Sequence, residues 1–311
     1  MSPRAALRVR SFAKVNLGLE VLGQRQDGYH ELRTLFQTID LHDDLVLREA
    51  RRDVVVRCTH PAVPTDETNL AGRAASLLRR FARVSRGVEI GIEKRIPVGG
   101  GLGGGSSNAA AVLMALDRMW GLGLGPDGLM PLARKLGADV PFFLVGGTAL
   151  GLARGDEVYP LYRQVSGHLV VIDTGRPVST ARVFARMDAS LTPRENSYNI
   201  FRFVSCDLGG SSPLKVLTNE LETAALEEAP ELRHQVRRIR GFLVRDGALL
   251  ASLSGSGSSY FGLFGDARRA GRSHAALRAA GFMALRSRTL SLDQYRRSWH
   301  PSPGPARAAK R

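Results

Sequence analysis

Apolar and polar side chains alternate through ALRVRSFAKVNLGLEVL (residues 6–22), the period-2 pattern of strands with one buried face. A polar, turn-rich stretch, GQRQDGYHE (23–31), ends the pattern. LVLREA (45–50) and DVVVRCTH (53–60) read as a further pair of strands around a turn at Arg51 and Arg52. The period then changes. NLAGRAASLLRRF (69–81) carries its apolar residues at helical spacing, and VEIGIEK (88–94) returns to a strand with Val88, Ile90 and Ile92 on one face. An alanine-rich segment predicts a helix to about Trp120, another spans Asp127 to Leu136, and residues 146–161 are strand-like again.

HLVVIDTG (168–175) opens a second run of elements. Helices are predicted at 179–187, 219–226 and 231–240, two short strands around a glycine turn in ASLSGSGSSYFGLF (251–264), a helix near 268–280 and a last strand at 283–285. No fixed-period repeat is visible. The chain therefore reads as α+β, with one unit over residues 1–164 and a second over 165–290. Residues 291–311 end in HPSPGPARAAKR, a basic, Pro-rich composition that predicts a disordered tail.

Between the strand at 88–94 and the alanine-rich helix lies PVGGGLGGGSSNAAAVL (97–113). Glycine loses more backbone freedom on folding than any other residue, so so dense a run implies a backbone that something must approach closely. A strand, a glycine turn and a helix start form an anion site, because bare N–H groups and the helix dipole converge there. Ser106, Ser107 and Asn108 are the N-cap candidates. The P-loop pattern is excluded, since Gly105 is followed by Ser106 rather than by Lys. GxGxxG can be matched within Gly99–Gly104, but any glycine run matches it, and no acidic residue stands where a dinucleotide site needs one. A phosphate loop of a third kind is left.

Composition narrows the setting. With 43% hydrophobic and 23% charged residues the chain is globular. No apolar run reaches the length of a membrane span, and the start lacks a secretory core, so a cytoplasmic protein is expected. Cys58 and Cys206 are far apart and lack metal-ligand spacing. The net charge of +15 owes much to residues 266–311, where eleven Arg or Lys face two Asp. These are scattered among alanines as on the solvated face of a helix, with no RNA-binding aromatic motif, so nucleic acid is the minor reading.

The glycine run resembles the second motif of the GHMP kinases. AKVNLGLEVLGQRQDGYHELRTLFQTID (13–40), GADVPFFLVGG (137–147) and SGSGSS (254–259) are similar to the branch acting on a cytidine diphosphate-linked methylerythritol in the non-mevalonate isoprenoid route. The resemblance runs from about residue 8 to 285. It implies a two-domain GHMP kinase fold, with a ribosomal protein S5 domain 2-like N-terminal domain, a ferredoxin-like C-terminal domain and the site in the cleft between them. It also implies ATP and Mg²⁺, a small-molecule substrate, no membrane, and a monomer or homodimer.

Residue by residue, the resemblance puts Pro97, Gly99, Gly100, Gly101, Leu102, Gly103, Gly104, Gly105, Ser106 and Ser107 around the ATP phosphates, with Ser107 facing Mg²⁺. Asn69 and Lys94 join the nucleotide site, although a helix cap and a solvated lysine explain them equally well. Asp139 corresponds to the catalytic base; on its own residues it reads as well as a turn carboxylate between Gly and Pro. Lys14 and Asn16, in AKVNL, would flank that base. Tyr29 and His30 would stack on and read the cytosine, with Phe184 on its other face or in the core. Thr180, Ser254, Gly255, Ser256 and Gly257 complete the substrate side. Two rival functions stay open: another GHMP kinase of homoserine or mevalonate type, against which DGYHEL argues, and a non-catalytic nucleotide-binding homologue, against which intact Lys14 and Asp139 argue.

Overall fold

Two long antiparallel strands, β1 (Leu7–Gln24) and β2 (His30–Ala50), open the chain around a turn at Arg25–Tyr29. The structure is a computed structural model and describes residues 6–190, 200, 204, 214, 217–298 and 302–303. β3 (Val54–Cys58), α1 (Leu70–Phe81) and β4 (Gly87–Glu93) follow as a crossover unit, so β3 and β4 pair in parallel. Next come α2 (Gly104–Trp120), α3 (Gly125–Leu136), the short α4 (Phe142–Val145) and a hairpin of β5 (Thr148–Leu152) and β6 (Glu157–Pro160). β2 pairs with β5 through Thr34–Gln37 and with β4 through Asp44–Ala50, so its length serves two neighbours on one side.

Residues 32–44 lie inside β2, although their sequence does not alternate. The reason is burial on both faces. Leu35 and Ile39 enter the core between the two sheets, while Phe36 enters the core beneath the helices. The buried Gln37 among them is satisfied: its Nε2 donates to the carbonyls of Thr38 and Leu290, and Thr148 Oγ1 donates to its Oε1 at 2.6 Å.

Asn69 caps α1, its Oδ1 accepting from the N–H groups of Ala71 and Gly72. α2 does not start at the serines. Its N-cap is Gly103 in the left-handed region (φ +70°), which turns the chain into the helix before Ser106 and Ser107 are reached. Alanines 109, 110, 111 and 115 are all buried, so small side chains let this central helix pack against α1, α3 and the sheet at once.

The second sheet is built from β7 (His168–Asp173), α5 (Thr180–Ser190), α6 (Leu221–Glu228), α7 (Leu232–Arg245), β8 (Leu250–Leu253), β9 (Tyr260–Phe264), α8 (Ala267–Ala279) and β10 (Met283–Arg288). Its order, β10–β7–β9–β8 and antiparallel throughout, is the split βαβ arrangement of ferredoxin-like domains. β7 reads as a continuous apolar run because both its faces are covered. Val170 and Ile172 meet the helices, and Leu169 and Val171 meet Val15, Leu17 and Leu35 of the first sheet. Among the described residues no helix is long and apolar enough to cross a membrane.

The chain does not lose structure at residue 291, contrary to the expectation from composition. α9 (Leu292–Ser298) follows β10, and β11 (Ser302–Pro303) pairs with Leu7 and Arg8 of β1 at the edge of the first sheet. The remaining residues of the predicted tail, 299–301 and 304–311, lie outside those described. SLDQ (291–294) is a capping box: the side chains of Ser291 and Gln294 accept each other's backbone N–H. Tyr295 anchors the helix. Its ring meets Phe12 edge-on at 5.8 Å, and its hydroxyl donates to Phe143 O at 2.5 Å. Burial pushes its pKa above the ordinary tyrosine value.

Tyr295→Ala should therefore destabilise the protein by about 3–5 kcal/mol, the range for deleting a buried aromatic ring. Tyr295→Phe should lose about 1–3 kcal/mol by leaving Phe143 O unpaired. Urea unfolding monitored by tryptophan fluorescence measures both; no change in either variant would mean that α9 is not docked.

Candidate active site

β1 assigns its two faces to different tasks. Ala13, Val15 and Leu17 fill the core between the sheets, and Lys14 and Asn16, on the opposite side, line a cavity. Lys14 is only 3% exposed. An ammonium so deeply buried needs compensation of several kcal/mol. It has three partners: Asp139 Oδ2 at 3.3 Å, Asn16 Oδ1 at 2.6 Å, and the face of Phe36, whose centroid is 5.5 Å away. Asn16 is held in turn, its Nδ2 donating to Thr34 Oγ1, which donates to Gly18 O, both at 2.8 Å.

Asp139 stands at the turn between α3 and α4. Its neighbours Val140, Phe142 and Phe143 are buried in the first core, which fixes the turn, while a third of its own side chain faces the cavity. The apolar neighbours of GADVPFF thus anchor the carboxylate from behind rather than enclosing it.

The glycine run meets the chain at two points that exclude a side chain. Gly101 has φ +73°, and a Cβ there would lie 2.0 Å from Ser254 O. Gly103 would put one 2.7 Å from the Phe143 ring. The run is seated by Lys14 N donating to Leu102 O at 3.0 Å. It also interlocks with SGSGSS: Ser259 N donates to Gly100 O at 3.1 Å, and Ser254 Oγ donates to Gly101 O at 3.0 Å. Among the described residues the N–H groups of Gly99 through Ser106 donate to no backbone carbonyl.

Two cavities meet at this loop. One, of about 400 Å³, is lined by Pro97 through Ser106 together with Asn69 and Lys94. The other, of about 310 Å³, is lined by Lys14, Asn16, Asp139, Thr180, Phe184 and Ser256, among others. Gly101 and Ser106 belong to both walls.

One expected residue sits elsewhere, and another lines the cavity but is held differently from a surface lysine. Ser107 lines neither cavity; it is buried against β1, where Ser11 Oγ donates to its Oγ at 2.7 Å. The helix starts earlier than its serines suggested, which rotates Ser106 into the position expected of Ser107. Lys94 is not a solvated lysine. Its Nζ lies 2.9 Å from Asp43 Oδ2 and donates to Ile96 O at 2.6 Å. Asp43, which the sequence did not single out, is fully buried, and its Oδ1 accepts from the N–H groups of Arg95 and Ile96 at 2.8 Å each. It fixes the chain entering the glycine run. In IDLHDDL it looks like one more charge at a strand end.

Phe184 lines the second cavity and stacks on His30 at 4.6 Å with the planes 21° apart, while neither His30 nor Tyr29 is on the cavity wall. Tyr29 is more than half exposed, held by its N–H on Asp27 Oδ1 at 3.1 Å. Thr180 and Ser256 share a 2.7 Å hydrogen bond. Asn219, also unforeseen, donates to the carbonyls of Leu253 and Gly255 at 2.9 and 2.7 Å and caps α6 through Leu221 N. It ties the SGSGSS turn to the start of that helix. Among the described residues no group of three or more His, Cys, Asp or Glu side chains could hold a metal by itself.

Comparison with known proteins identifies the family. The family described as GHMP kinases N terminal domain matches residues 69–147, and GHMP kinases C terminal matches residues 216–281. The 4-diphosphocytidyl-2-C-methyl-D-erythritol kinase of Chlorobium luteolum is 40% identical over 85% of this chain and 92% of its own. The enzyme of the same name from Gloeobacter violaceus is 42% identical over 84% and 86%. A crystal structure of a 4-(cytidine 5'-diphospho)-2C-methyl-D-erythritol kinase superimposes with a TM-score of 0.73 at 37% identity, covering 91% of this chain and 98% of the other. Homoserine kinase from Cytophaga hutchinsonii reaches a TM-score of 0.72 at 20% identity, over 94% and 96%, a likeness of fold alone. The chain belongs to the GHMP kinases, and within them to the 4-diphosphocytidyl-2-C-methyl-D-erythritol kinase family.

Proposed function

We propose that this chain transfers the γ-phosphoryl group of ATP to the 2-hydroxyl of 4-diphosphocytidyl-2-C-methyl-D-erythritol. The observation that carries the reading is the Lys14–Asp139 pair in a cavity that shares Gly101 and Ser106 with the glycine-loop cavity. A donor phosphate in one and an acceptor hydroxyl in the other would meet at that shared wall. The homoserine and mevalonate types share the fold at 20% identity or less, whereas relatives near 40% carry the cytidyl name.

Phosphoryl transfer asks a protein chiefly to position groups and to offset charge. The unpaired N–H groups of Gly99 through Ser106, at the positive end of α2, take the ATP phosphates. Asp139 accepts the proton of the 2-hydroxyl as its oxygen bonds to the γ-phosphorus; the bond from that phosphorus to the β-phosphate oxygen breaks, and ADP leaves. Lys14 holds Asp139 in place and faces the developing charge with its ammonium. His30, Phe184 and Tyr29 bind the cytosine end. With no carboxylate cluster in the described site, Mg²⁺ would be held mainly by the ATP phosphates, with the Ser106 hydroxyl as the protein's contact. Bound there, it would neutralise phosphate charge.

A coupled ADP-release assay with the cytidyl substrate, mevalonate and homoserine tests the assignment; turnover confined to mevalonate or homoserine would overturn it. Asp139→Asn should bind both substrates and lower kcat by roughly 10²–10⁴, the range for a general base. Turnover near the wild-type level in that variant would remove Asp139 from proton transfer.

The two serines should separate. Ser106→Ala should lower kcat and raise the Mg²⁺ concentration needed for half-maximal rate. Ser107→Ala should leave both unchanged and cost about 1 kcal/mol of stability through the lost bond with Ser11. Magnesium titrations of initial rate, together with urea unfolding, distinguish them, and the reverse pattern would restore Ser107 as the metal contact.

A further inference from the structure

The β5–β6 turn brings a cation to the acceptor cavity that none of the glycine motifs supplies. Its sequence is ARGD (153–156). Ala153 holds φ +58°, a left-handed conformation that a Cβ disfavours by roughly 1–2 kcal/mol. The turn is kept there by Leu32 N, which donates to Ala153 O at 2.6 Å, and by Asp156. Asp156, 6% exposed, accepts from Arg154 N at 3.3 Å and from Arg154 Nη2 at 2.7 Å. The guanidinium is thus held through one of its amino groups. Its Cζ lies 4.9 Å from the centroid of Tyr29, so it also backs one face of that ring.

Among the described residues, Lys14 and Arg154 are the two basic side chains on the wall of this cavity. Lys14 is engaged by Asp139 and Asn16. A guanidinium has five N–H donors in a planar fork that matches phosphate oxygens two at a time. Asp156 takes one side-chain donor, and the side chain is 30% exposed. Arg154 is next to Tyr29 at one end and shares the cavity wall with Asp139 at the other. In the cytidyl substrate the diphosphate stands between the base and the reacting hydroxyl.

We propose that Arg154 grips the diphosphate of the substrate and so sets the preference for a diphosphate-linked nucleoside over a bare one. The proposal rests on the reading of this cavity as the acceptor site. Asp156 serves it as a positioning residue, holding the guanidinium through one amino group so that its other donors stay available.

Calorimetry with cytidine and with cytidine diphosphate, each in the presence of a non-hydrolysable ATP analogue, isolates the contribution of the phosphates. The wild type should bind the diphosphate more tightly than cytidine. Arg154→Met should weaken the diphosphate about 10- to 100-fold, the range for a lost charge-assisted hydrogen bond, and leave cytidine and the ATP analogue unchanged. Arg154→Lys keeps a cation beside Asp156 and guards against misfolding; it should recover part of the preference, because a point charge cannot make the forked contact. Equal loss of cytidine and diphosphate would show that Arg154 only props Tyr29, and an intact preference in Arg154→Met would overturn the proposal outright. A wild-type protein indifferent to both cytidine compounds would instead overturn the reading of the cavity, and Arg154 with it.

Discussion

The site depends on one strand, β1, keeping a buried cation on one face while its other face joins the two sheets. Ala13, Val15 and Leu17 belong to the core that the first sheet shares with β7 and β9. Lys14 and Asn16 therefore cannot shift without disturbing the packing that joins the sheets. The same constraint reaches the phosphate loop, because Lys14 N holds Leu102 O and the Lys14 stem lies 3.1 Å from where a Cβ on Gly103 would fall. Pairing Lys14 with Asp139 satisfies the buried ammonium and places the carboxylate on the wall of the second cavity, which shares Gly101 and Ser106 with the first. Stability and chemistry here draw on the same contacts.

The interlocked turns extend this constraint across the molecule. Gly101 accepts from Ser254 Oγ, and Gly100 accepts from Ser259 N. Neither turn could approach the other if a side chain stood at Gly101. Asn219 then links the second turn to α6, and Asp43 links the entry of the first to Lys94 and the backbone of Arg95 and Ile96. The backbone N–H groups left over between these anchors are the ones free for an anion. A rigid cradle with unspent donors suits a reaction whose main demand is positioning.

How much of this was legible depended on whether the information was local. The alternation of 6–22, the helical spacing of 69–81 and the cap at Asn69 are local, and each appears where its pattern put it. The motif residues Lys14, Asn16 and Asp139 do converge on one cavity. What escaped was set by tertiary partners. β2 between 32 and 44 lost its alternation because two different cores claim its two faces. α9 was hidden by its basic, Pro-rich surroundings, although SLDQ is a local start signal and Tyr295 finds its partner in Phe143, far away in sequence. Ser107 was misplaced because the left-handed Gly103 starts α2 early, which turns Ser107 onto Ser11; Lys94 does line the glycine-loop cavity, and only its solvation was misjudged, because its partner Asp43 is distant in sequence.

The charge of the chain shows the same separation between totals and sites. Formal charge is +15, yet among the described residues the second cavity is lined by two cations, each paired with a carboxylate. Excess charge on the surface acts through a screening length of about 8 Å at physiological salt and cannot choose among the oxygens of one substrate. A buried ammonium and a guanidinium held through one amino group can, because their hydrogen bonds have direction and their surroundings screen little. In the proposed reaction the Lys14 ammonium, 3.3 Å from Asp139, faces the charge that develops on the transferring phosphoryl group. Arg154, gripping the diphosphate as proposed, would act on a group that does not react, and so alike on ground and transition states. On that reading one cation serves turnover and the other serves affinity.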